Sequence, residues 1–143
     1  MSNADKKAKS YLNKGMILAT KYTTGLISEE KAVEKSKAIL DALEQETPEV
    51  QKAYSRMYQD VFTKQIEKVE KLPAFLEGVM KKRLIKDVSP AKRQFNFIAN
   101  ALGSDTDPRL KALSDEFNKM PDRDDKNADR QFAAMKKIAK MGK

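Results

Sequence analysis

Apolar and polar positions follow one another along most of this chain at the three-then-four spacing of an α-helix. The longest such run spans Thr47 to Leu72, with Val50, Tyr54, Met57, Tyr58, Val61, Phe62, Ile66, Val69 and Leu72 as its apolar positions. With Ala53 they fill well over half of a helical wheel, a wider arc than a helix needs in order to cover one neighbour. The pattern predicts a central helix on which several others pack. Its start is marked by Thr47 as N-cap, by Pro48 at the first helical position, where the missing N–H costs nothing, and by Glu49 at the positive end of the dipole.

The flanking segments carry the same rhythm. From about Asp5 to Thr24, Ala8, Tyr11, Leu12, Met16, Ala19 and Tyr22 share one arc, with lysines on the other. Gly25 suits a left-handed helix stop, with Leu26 folded back on the last turn. Ser28 caps a second helix with Glu29 and Glu30 in its first turn and Ala32, Val33, Ile39, Leu40 and Leu43 on its apolar face, ending near Gln45. The short link to Pro48 favours an antiparallel hairpin with the central helix. Pro73 breaks the pattern, which resumes over Ala74 to Lys86 through Phe75, Leu76, Val79, Met80 and Leu84. Ser89–Pro90 and Asp107–Pro108 repeat the cap-plus-proline start. The first opens a helix with Phe95, Ile98 and Leu102 inward that closes at Gly103; the second opens one with Leu110, Leu113, Phe117 and Met120 inward that stops at Pro121. A polar loop over Asp122 to Lys126 leads to a last helix, from about Asn127 to Met141, with Ala128, Phe132, Met135, Ile138 and Ala139 on one side.

No stretch alternates as a strand bounded by hairpin turns, and no heptad run or fixed repeat persists. The expected fold is all-α, a compact bundle of six to seven helices around the helix at about 48–72, with no sheet. A length of 143 residues suits one domain spanning 1–143. Ser2 to Ala4 can be a cloning remnant, and residues 1–5 and 142–143 are expected to fray.

Composition narrows the chemistry. The chain has no Cys and no His, which removes disulfides, thiolate nucleophiles, imidazole bases and the commonest borderline metal ligands. No run approaches the ~20 apolar residues of a membrane span. A cytoplasmic protein, or one inside a particle, is the expectation. The net charge of +8 sits in three segments. The first holds Lys6, Lys7, Lys9 and Lys14, with no acid before Lys21; the second Lys81, Lys82, Arg83, Lys86, Lys92 and Arg93; the third Lys136, Lys137 and Lys140. Such faces attract phosphate backbones or acidic protein surfaces.

The motifs that name a reaction fail one by one. Asp125, Asn127 and Asp129 have the opening spacing of a calcium loop, but Arg130 stands where a Gly is needed and Lys136 where a bidentate Glu is needed. Paired carboxylates could run glycoside hydrolysis, yet there is no Trp to floor a sugar cleft and acids such as Glu67 face a Lys at helix spacing. The helices from Pro90 and Pro108 make a poor helix-turn-helix, since Asp115 and Glu116 lie on the would-be recognition helix. Gln65 falls in angle between Tyr58, Phe62 and Val69, which reads as a satisfied core amide or a groove lining. Arg83, on the arc of Leu76, Val79 and Met80, reads as a snorkelling side chain.

These readings point away from an enzyme and from any cofactor or metal. They favour a basic helical binding module for an acidic macromolecule, with nucleic acid or a nucleic-acid-binding complex first. One alternative is a structural or assembly protein, such as a viral particle component, that docks or self-associates through its basic C-terminal helix. Another is an inhibitor that fills a partner's anion-binding site.

Overall fold

The computed structural model describes residues 1–87, 91–103, 107–119 and 128–140. They form seven α-helices, and no strand occurs among the described residues. The helices are α1 (Asn3–Thr23), α2 (Glu29–Glu44), α3 (Pro48–Glu70), α4 (Ala74–Asp87), α5 (Ala91–Ala101), α6 (Pro108–Asn118) and α7 (Ala128–Lys140). As its wide apolar arc requires, α3 is the spine: α1, α2, α4, α5 and α7 all pack on it, while α6 rests on α5 and α7.

Local chemistry sets the ends. The hydroxyls of Ser28 and Thr47 accept from the N–H groups of Lys31 and Val50, 3.2 and 3.4 Å away, at the starts of α2 and α3. Asp107 does the same for α6, accepting from Arg109 N–H at 2.9 Å. Gly25 takes φ +79°, and the N–H groups of Leu26 and Gly25 donate to the carbonyls of Lys21 and Tyr22, the paired bonds of a Schellman stop. The backbone obeys the motif, but the Leu26 side chain stays 74% exposed instead of folding back. Gly103, at φ +99°, stands at the end of α5, its N–H donating to the Asn100 carbonyl at 3.2 Å. At the other end of the chain, α1 begins at Asn3, where the Ser2 hydroxyl accepts from Asp5 N–H at 3.1 Å and Ala4 packs at the edge of the core.

Two apolar cores share the spine. Ala8, Leu40, Leu43, Val50 and Tyr54 join α1, α2 and the first half of α3, and Phe97 of α5 closes them. Phe62, Ile66 and Val69 on the second half of α3 meet Phe95 and Ile98 of α5 and Phe132, Met135 and Ile138 of α7. Tyr58 touches both cores. Its ring is stacked on Phe62 at 6.1 Å and edge-on to Phe95 at 5.9 Å, while Phe62 and Phe95 meet edge-to-face at 5.2 Å. Aromatic pairs at these separations contribute about 0.5–1.5 kcal/mol each beyond their burial.

Two glutamines of α3 tie other helices to the spine. The last four carbonyls of a helix have no partner within it. Gln51 donates to the carbonyls of Leu43 and Glu44 at 3.0 and 3.3 Å, at the end of α2. Gln59, fully buried, donates to the carbonyl of Ile138 at 3.0 Å, in the last turn of α7.

Four sequence expectations need correction. Gln65 is exposed, so it is not a core amide; the buried amide is Gln59. A wheel drawn over the whole of α3 averages a buried arc that turns along the helix, from Val50 and Tyr54 to Phe62, Ile66 and Val69. On the second half of α3 the buried positions are Phe62, Ile66 and Val69, and Gln65 lies to one side of the arc they define. The second correction concerns α4, where Met80 packs on the core but Phe75, Leu76 and Val79 are exposed. The third is Met16, exposed on α1 although its position repeats the spacing of Ala8 and Leu12. Leu26, as above, is the fourth. The expected inward positions Leu84, Leu110, Phe117 and Met120, the starts at Ser89–Pro90, and Pro121 to Asn127 with Asp125 lie outside the described residues or side chains.

Candidate functional site

The basic segments meet different fates. In the middle one, Arg93 of α5 reaches the end of α2, where its Nε and Nη2 hold the Glu44 carboxylate at 3.2 and 3.1 Å and Nη2 also contacts Asp41. Asp41 and Glu44 stand at the negative end of α2, which has no base in its last turn, so Arg93 supplies the missing countercharge. The hydrogen bonds it donates to Glu44 and then Asp41 raise its pKa further. Lys81 pairs with Glu77 at 2.9 Å and Asp129 at 3.4 Å and lies 5.1 Å from the Phe132 ring centre. The Glu77 hydrogen bond holds its pKa above the usual 10.5 against the opposing effect of burial. Arg83 is exposed. The side chains of Lys82, Lys86 and Lys92 lie outside those described.

On α1, Lys7 turns to Glu46 at 3.9 Å, the same carboxylate that accepts from the Tyr11 hydroxyl at 2.8 Å. That hydrogen bond raises the Tyr11 pKa, and burial adds to it. Lys6, Lys9 and Lys14 instead line one shallow cleft of about 370 Å³ with Ser10, Asn13 and Ile17. They recur at three to five residue intervals, so one side of a single helix presents them all. Lys14 also lies 5.4 Å from the Tyr11 ring centre.

On α7 the apolar side docks on the chain's own core: Phe132, Met135 and Ile138 are fully or almost fully buried. Its outer side carries Lys136, Lys137 and Lys140 into a trough of about 690 Å³, shared with Arg109, Ala112 and Leu113 of α6. Lys136 pairs with Glu70 of α3 at 2.6 Å, and that bond lowers the Glu70 pKa, with Lys140 and Lys81 adding through space. Since α1 packs on α2, α3 and α4, and α7 on α3, α4, α5 and α6, the two basic faces belong to helices with different surroundings.

Sequence reasoning did not single out Arg109 or the alanines of the trough. Nothing about an isolated Ala marks it as a floor until the facing helix is known. Among the described residues no group of three or more acids could hold a metal ion, and no helix is long and apolar enough to cross a membrane. Comparison with protein-family models, curated proteins and solved structures finds no match to this chain.

Proposed function

We propose that this protein is a non-enzymatic binding module for an acidic macromolecule, and that α1 engages nucleic acid through Lys6, Lys9 and Lys14. The observation that carries this reading is the cleft on α1, where those three cations and the polar side chains of Ser10 and Asn13 face one way. Lys, Ser and Asn side chains are the usual donors to phosphate oxygens, and such contacts position a nucleic acid without reading its bases. No acid lies between Lys6 and Lys21 to repel a phosphate backbone. The second basic segment contributes less, because Arg93 and Lys81 already serve internal carboxylates. A site in the cytoplasm or inside a particle goes with this reading.

Anisotropy titrations of a labelled duplex across a salt series test the proposal. Binding should weaken steeply with salt and depend little on sequence. Replacing Lys6, Lys9 and Lys14 together by Glu should flatten the log–log salt slope by about two to three, close to ~0.9 per lost phosphate contact. No binding at low salt, or a slope unchanged in the triple variant, would overturn it.

A further inference from the structure

The trough between α6 and α7 combines two properties that a phosphate site does not need together. Its floor is Ala112, Leu113 and Ala133, and its rim is Arg109, Lys136, Lys137 and Lys140. The α7 contributors recur at three, four and seven residues, so they form one stripe two turns long, about 10 Å. Ala112 and Ala133 are exposed and short, which leaves depth for a larger apolar side chain from outside, walled by the aliphatic stems of the lysines.

We infer that this trough is the docking site for an acidic amphipathic helix of a partner protein, its apolar ridge on the alanine floor and its carboxylates along the cationic rim. The charge is complementary. Glu70 engages Lys136 and Asp107 lies 4.0 Å from Arg109, while Lys137 and Lys140 have no ion-pair partner among the described residues, and no carboxylate lines the trough among those residues. Bare phosphates would gain nothing from the apolar floor. A membrane is a poorer fit, because the large apolar side chains of α7 are already inside the protein and none is left to enter a bilayer. A helix with a leucine ridge flanked by Glu or Asp uses both properties, and helix-in-groove docking is a common form of recognition. This face is separate from the α1 cleft, so the inference stands or falls independently of nucleic-acid binding.

The test uses the full chain and a labelled peptide of about 15 residues, with Leu at helical spacing on one face and Glu on both flanks. Saturable binding is expected. Lys137→Glu/Lys140→Glu should weaken it at least about tenfold, as loss of desolvated charge partners does. Ala133→Trp, which fills the floor from the solvent side, should weaken it similarly with an unchanged melting temperature; the two lysines, both exposed, give a second variant should the tryptophan disturb folding. Lys6→Glu/Lys9→Glu/Lys14→Glu should leave peptide affinity intact while reducing duplex binding. The inference fails if an all-Glu peptide binds as well as the amphipathic one, since charge alone would then suffice. It also fails if duplex DNA or phosphatidylserine vesicles, not the peptide, respond to the Ala133 and Lys137/Lys140 changes.

Discussion

Phe62 and Phe75 stand thirteen residues apart on successive helices, both at apolar positions of the helical pattern, yet one is 1% exposed and the other 77%. Phe62 is on the half of α3 where α5 and α7 converge, and its ring meets Tyr58 and Phe95. Phe75 opens α4, whose other side already rests on the core through Met80. The contrast shows that helical periodicity marks an apolar face without saying whether a neighbour arrives to cover it. A helix with apolar residues on two sides must leave one uncovered when the chain brings it only one set of partners.

Truncation gives the largest expected difference. Phe62→Ala should cost about 3–5 kcal/mol in chemical denaturation, from lost transfer energy and the cavity left behind. Phe75→Ala should stay within about 0.5 kcal/mol, the range of surface substitutions. A large loss at Phe75 would break the comparison, because it would mean that a second copy of the chain covers that face in solution.

A smaller effect appears in alkali. Burial pushes the Tyr54 phenol from 10.0 up to about 12, partly offset by the hydrogen bond that Gln94 donates to it at 2.9 Å. Burial, with Tyr54 close by, pushes Tyr58 well above 10.0. A raised phenol pKa favours the folded state fully below the ordinary value, and the benefit is lost as pH climbs from 10.0 through about 12. Alkaline difference absorbance should therefore show both phenols resisting ionisation while the helical signal persists. Phenolate from either tyrosine at its ordinary pKa, with the fold intact, would mean that the aromatic junction is wetter than the Phe62 end of the comparison requires.

What the sequence made legible was mostly local. Ser28, Thr47 with Pro48, Gly25, Gly103 and Asp107 mark helix ends through bonds to residues two to five positions away, and the wide apolar arc of α3 foretold its many neighbours. The candidate site was legible only as charge. Lys6, Lys9, Lys14, Lys136, Lys137 and Lys140 were visible as basic stripes, but which cations are already neutralised depends on distant partners. Arg93 meets carboxylates 49 and 52 residues before it, and Lys136 meets one 66 residues before it. No periodicity within one helix carries that information. Gln65 failed for a related reason, since the buried arc turns along α3 and leaves that position at its edge beside Ile66 and Val69.

The two glutamines of α3 have a consequence in time as well as in space. Helix ends ordinarily open and close at almost no free-energy cost, so their amides exchange with solvent long before the rest of the molecule unfolds. Because Gln51 and Gln59 hold carbonyls in the last turns of α2 and α7, those turns cannot open without breaking a bond to the spine. Deuterium should accordingly reach the final turn of α7 on nearly the schedule of α3 itself, and replacing Gln59 by Leu should uncouple the two. Rapid exchange at the end of α7 in the intact protein would show that the spine does not govern when that helix opens.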